Sequence, residues 1–216
     1  MSQHLYSIYD STLGKQLLAA QLSEVLSKCF GYYLLYLGET GTSEWLTGCP
    51  VRYAISVNSS GRVICPRTIQ GSYMDLPIQT SSIDVAFLPH LLDNEKNPEL
   101  ILQEIWRVLI PGGTLIVMGV NPYSFLGMKH FMHLLSLSGL SRYLKNLQFE
   151  IIEKKTFFFR PISEEAGKKW SPNRGGIYLL AAKKQVVGMT PIETSAWLNR
   201  WEKITRPVTA QPVTYE

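Results

Sequence analysis

Residues 74–122 read MDLPIQTSSIDVAFLPHLLDNEKNPELILQEIWRVLIPGGTLIVMGVNP. They spell strand, loop, helix, tight turn, strand. Ile83 to Leu88 is a short apolar run with a β-branched bias, the composition of a strand buried on both faces. Asn97 is placed to cap a helix, with Pro98 at its first position and Glu99 at the positive end of its dipole. Leu102, Ile105, Trp106 and Leu109 then fall at i, i+3, i+4 and i+7, so one face of a helix over 98–109 is apolar and is predicted to be buried. Pro111 ends that helix, and Gly112-Gly113 can take the positive φ of a sharp reversal. Thr114 to Val120 is a second buried strand. A helix crossing between two buried runs requires parallel strands and hence an α/β sheet, with this unit at its centre.

The rest of the chain fits around that unit. Residues 12–30 predict a helix whose Leu18, Leu22, Val25, Leu26 and Cys29 share a face, closed by Gly31. Tyr33 to Leu37, Tyr53 to Val57 and Thr68 to Gly71 are the first three strands. Residues 58–67, with Gly61 and Pro66, leave little room for a helix between the second and third. Residues 123–136 predict a helix rich in Met, Phe and His, and 140–147 another short one. Phe149 to Arg160 and Ile177 to Lys184 are long strands joined by a polar loop. Residues 1–184 make one domain. Residues 185–216 form a tail whose Trp197 and Trp201 dock and whose end is loose.

Composition bounds the function. At 216 residues and 45% apolar content the chain suits one α/β domain with a core. No run is long enough for a membrane span and no secretory leader opens the chain, so the expected location is cytoplasmic. Cys29, Cys49 and Cys65 never form a CxxC pair and read as reduced, structural thiols, with no metal site. The net charge of +4 is uneven. Residues 1–141 hold 8 Lys and Arg against 10 Asp and Glu, whereas residues 142–206 hold 13 against 6. That basic third is either a solvated surface or a patch for an anionic partner. Its lysines come as pairs, Lys154-Lys155, Lys168-Lys169 and Lys183-Lys184, without interleaved aromatics, which favours a small-molecule acceptor over nucleic acid.

The pattern LP…IDVAF…H…NPELILQEIWRVLIPGG-TLIV, with Glu104, Arg107, Leu109, Pro111, Gly112 and Gly113, resembles the second half of class I S-adenosylmethionine (SAM) dependent methyltransferases of the type 11 group. GYYLLYLG, LPHLLDNEKNPE, VNPYSFLGMKH and GGIYLLAAKKQVVGMTPI are similar to a little-characterised bacterial branch of that group. The resemblance implies a Rossmann-like fold: a mostly parallel seven-stranded sheet, its last two strands an antiparallel edge pair, with helices on both faces. It implies SAM as cofactor and methyl transfer to a small or medium acceptor. Two other readings share the fold: a non-catalytic binding or scaffolding module, and a domain holding another adenine-containing ligand.

In the family a glycine loop follows the first strand, an acidic residue at the end of the second takes the ribose hydroxyls, and an Asp before the LP motif meets the adenine amino group. Here the loop is Gly38-Glu39-Thr40-Gly41-Thr42, with threonines where two glycines are expected and Tyr36 in place of a strand-one acid. Asn58 stands at the ribose position and Ser72 at the adenine position. Tyr73, Met74 and Leu88 complete the cofactor set that the resemblance implies. Losing charged anchors of this kind removes ~1.5–3 kcal/mol each. His90, after the fourth strand, is a candidate general base or a residue that closes the strand end. Tyr9, Asn121, Tyr123, Ser124 and His130 are candidate acceptor-pocket residues; Asn121-Pro122-Tyr123 also reads as a plain turn. His130 and His133 read as core or pocket wall and not as metal ligands. Asp84 reads as a strand-start residue and Asp75 as a turn or loop contact.

Overall fold

A computed structural model describes residues 12–39, 43–46, 48–93, 95–124, 135–157 and 176–185 of the chain. In chain order the elements are α1 (Thr12–Leu26), β1 (Tyr33–Leu37), a single 3-10 turn (Ser43–Leu46), β2 (Tyr53–Asn58), β3 (Arg67–Gln70), β4 (Ile83–Pro89), α2 (Pro98–Val108), β5 (Leu109–Val120), α3 (Leu137–Asn146), β6 (Phe149–Phe157) and β7 (Ile177–Lys184). The strands form one seven-stranded sheet in the order β3-β2-β1-β4-β5-β7-β6. β1 to β5 pair in parallel, and β7 is antiparallel to both β5 and β6. This is the architecture implied by the resemblance, with the 83–120 unit in the middle of the sheet.

Alternation along each central strand sorts its side chains between two cores. Leu35, Ala86, Leu88, Leu115, Val117 and Leu180 face α2 and α3. Leu34, Tyr36, Val85, Phe87, Ile116 and Met118 face α1. Tyr36, at the position of the family's strand-one acid, packs its ring edge-on to Phe87 at 5.5 Å. Apolar burial on both faces explains why β4 and β5 were readable as unbroken hydrophobic runs.

Several sequence expectations need correction. The buried face of α2 is Ile101, Leu102, Ile105 and Val108, and Trp106 is 37% exposed. Leu109 has already turned into an extended conformation and opens β5, so the helix ends at Val108, three residues before Pro111. Trp106 instead carries the Lys184 ammonium over its ring, 4.1 Å from the ring centre. That ammonium donates to the carbonyls of Trp106 and Leu109 at 2.6 and 2.7 Å, satisfying acceptors left over at the helix end. Asn97 occupies the cap position without a side-chain cap bond, and its carbonyl accepts from Leu100 N. Gly112 does take φ +77, within an irregularity where the β4–β5 register shifts. α1 is shorter than the predicted 12–30, and α3 starts earlier than 140 because Ser136 caps it through Gly139 N. The predicted helix over 123–136 lies outside the described residues save for its ends, which are not helical.

The LP motif is tied to α2. Glu104 accepts from Leu76 N and pairs with Arg107, which donates to the Leu76 and Ile78 carbonyls. Asp84 accepts from Tyr32 N and Tyr33 N, the strand-start role expected of it. Of the basic third, Lys155 is paired with Glu24 and Glu153, and Lys184 is buried; Lys168 and Lys169 lie outside the described residues. Basic and aromatic side chains do interleave at the other edge, where Arg52 and Arg67 flank Tyr53, itself stacked on Tyr33. No helix among the described residues is long and apolar enough to cross a membrane.

Candidate functional site

The strand order reverses at β1: chain order runs outward through β2 and β3, then returns to β4 on the opposite side. Ligands of open α/β sheets bind beyond the carboxyl ends at such a point. Gly38 makes the turn there with φ +143. A Cβ on it would stand 3.1 Å from the Pro89 carbonyl, so the backbone passes the end of β4 where a side chain would be crowded as well as strained. Glu39 follows, exposed, its carboxylate hydrogen-bonded to the Ser59 hydroxyl at the end of β2. Asn58 is fully buried; its Nδ2 donates to the Arg62 carbonyl at 2.6 Å, and its Oδ1 meets no donor among the described residues. Beside these groups a cleft of about 430 Å³ opens between Ser59, Gly71, Ser72, Tyr73, Met74 and Glu95. Ser72 Oγ accepts from Met74 N, and Tyr73 accepts from Ser59 N through its hydroxyl. Burial pushes the Tyr73 phenol up to about 12.

A second polar group sits at the end of β4. His90 adopts φ +55 and is buried, its backbone N–H bonded to the Met118 carbonyl. Its Nδ1 lies 2.7 Å from the carboxylate of Asp93. That carboxylate also accepts from Val120 N, at 3.0 and 3.2 Å to its two oxygens. An ionised carboxylate only accepts, so Nδ1 carries the proton and Nε2 is the basic nitrogen. Beneath the pair, Gly119 leaves the room that the Tyr178 hydroxyl and Asp93 Oδ1 occupy; a Cβ there would meet them at 2.4 and 2.7 Å. Burial holds the Tyr178 phenol well above its usual range, with the Asp93 charge adding to the effect.

The remaining expected residues divide into three sets. Leu88 is buried in the core below the cleft. Asn121 closes a turn, accepting from Tyr123 N with Oδ1 and from Ser124 N and Oγ with its carbonyl; Tyr123 is 78% exposed and Ser124 is buried. Thr40, Gly41, Tyr9, His130 and His133 lie outside the described residues. Sequence reasoning missed Asp93, for which the His90-x-x-Asp93 spacing was an available signal, and Glu95 and Ser59, which carry none.

Known proteins share this fold. Residues 28–117 match the family model of the methyltransferase domain. The chain is 28% identical over 192 residues to an uncharacterized protein, YafS, of Escherichia coli K12, a match covering 82% of this chain and 79% of that one. It resembles the crystal structure of a SAM-dependent methyltransferase from Thermotoga maritima described as a possible histamine N-methyltransferase, with TM-score 0.62 and 22% identity over 78% of this chain and 88% of the other. A SAM-dependent methyltransferase from Archaeoglobus fulgidus superposes with TM-score 0.64 at 16% identity, over 83% and 97%. The fold is that of class I SAM-dependent methyltransferases, and the match to the methyltransferase domain falls on its first five strands. SAM is the cofactor on which these two solved neighbours are described as dependent.

The residues present fit the adenosine half of that cofactor. Gly38 keeps the backbone bare, the cleft falls in the size range of small-molecule sites, and the buried Asn58 Oδ1 is an acceptor without a donor among the described residues. Ser59, Ser72 and Glu95 bring hydroxyls and a carboxylate to its walls.

Proposed function

We propose that the protein methylates a proton-bearing nitrogen or oxygen of a small or medium acceptor, with His90 as the base. Bound SAM supplies an electrophilic methyl on its sulfonium. The chain has then to hold the acceptor in line and to receive its proton. The observation that carries this reading is the buried His90–Asp93 pair at the end of β4. Asp93 fixes the tautomer, so Nε2 takes the proton as the acceptor gains the methyl group. Val120 N–H anchors Asp93 in turn, which places it as a positioning residue.

The test is formation of S-adenosylhomocysteine against a panel of small amines, phenols and alcohols. His90→Asn is expected to lower turnover by about 10²–10⁴-fold, with cofactor affinity unchanged. A fully active His90→Asn enzyme would remove the base from the reading. The second reading, a binding or scaffolding module with an eroded cofactor site, is favoured by the neutral, buried Asn58 at the ribose position. It predicts no product from any acceptor. A role for the basic third in meeting an anionic partner rests on Lys145, Lys154 and Lys183, the exposed lysines of that third among the described residues. Elution from heparin that does not change when the three are made Glu would dismiss it.

A further inference from the structure

We propose that the negative charge anchoring the cofactor's ribose has moved in this chain from the end of β2 to the turn after β1, and that Glu39 carries it. The inference rests on the SAM-dependent reading and names a group within it. Asn58 cannot be a charged anchor: it is neutral, wholly buried, and its Nδ2 is spent on the Arg62 carbonyl. The carboxylate at this strand end is that of Glu39, bonded to the hydroxyl of Ser59, the residue directly after β2.

Glu39 is held there from both sides. Arg62 Nη1 donates to the Glu39 carbonyl at 3.1 Å, tying the β1 turn to the loop that follows β2. Ser59 is itself fixed to the β3 side, its carbonyl accepting from Gln70 Nε2 at 3.0 Å and its N–H bonded to the Tyr73 hydroxyl. Tyr73 and Ser59 both line the cleft, so the carboxylate is bonded to a residue of its wall. Glu39 and Glu95 are also the charges that add to the upward shift of the Tyr73 phenol, which burial dominates. Chemically the group suits a vicinal diol. A carboxylate accepts two O–H bonds at once, each strengthened by its charge, and Ser59 can remain a third partner.

The test uses the full chain, with S-adenosylhomocysteine and its 2′-deoxy analogue as calorimetric probes. The unmodified protein should prefer the ribose form by ~10-fold or more, and Glu39→Gln should bind that form ~10-fold or more weakly while losing most of the preference. A merely structural role for Glu39 would lower both affinities equally and keep the preference. Glu39→Asp, which keeps the charge, should retain part of the preference and guards against a folding artefact. Glu39→Gln with affinity and preference intact would overturn the relocation and leave the SAM-dependent reading standing. No binding of either probe by the unmodified protein would overturn that reading itself, and the relocation with it.

Discussion

The two sides of β1 are built differently. Toward β4 and β5 the sheet is buried on both faces, a helix of eleven residues crosses over, and side-chain networks at Arg107, Lys184 and Asp93 tie helix, loop and strand together. Toward β2 and β3 no helix is described between the strands, β3 has four residues and none of them is buried, and Ile69 is 36% exposed. The first side sets the fold. The second carries the cleft at which the cofactor's adenosine is expected. The contrast teaches that the packed half tolerates little change, whereas the open half can exchange its polar anchors as long as the backbone turn at Gly38 survives.

That contrast can be broken by mutation, and the largest effect should come from its core. Ile105→Ala deletes a fully buried side chain and should cost about 2–5 kcal/mol of unfolding free energy, while Ile69→Ala on β3 should cost under ~1 kcal/mol. Denaturant melts of the two variants check this, and equal losses would erase the distinction. The next effect sits at the junction with α2. The Arg107 guanidinium beside Glu104 holds its carboxyl below the usual carboxylate range. A depressed carboxyl stabilises the fold above its unfolded value of 4.5, and that contribution disappears as pH falls through the lower folded value. Glu104→Gln should therefore cost about 1–3 kcal/mol at neutral pH and flatten the loss of stability in the acid range, as read from melts between about pH 3 and 7. The smallest effect belongs on the open side: Ser72→Ala, which removes one acceptor from Met74 N at the cleft, should lower stability by ~1 kcal/mol or less.

Legibility in the sequence follows the same division. β1, β4, α2, β5 and β7 were readable to within a few residues because continuous apolar runs and a helix-period face leave strong local signals. Trp106 was misplaced because periodicity assigns a face but not its borders, and the partner that decides its environment, Lys184, is 78 residues away. The site was less legible for a related reason. Gly38, Ser72, Tyr73 and Met74 were singled out through motif positions, and the structure gathers the last three around one cleft. Asp93 was passed over although it lies three residues from His90, since only the fold shows that Val120 N–H and Tyr178 surround it. The contact of Glu39 with Ser59 spans 20 residues and two strands, and no spacing rule announces it.

The central claim is that the open side still binds the cofactor although the family's acidic anchors are missing from Asn58 and Ser72. Calorimetric titration of the unmodified protein with SAM tests it most directly. The account predicts one saturable site per chain with a dissociation constant tighter than ~1 mM, a bound that corresponds to about 4 kcal/mol of binding free energy. The absence of any saturable heat up to that concentration would contradict it and leave a fold that has given up its cofactor.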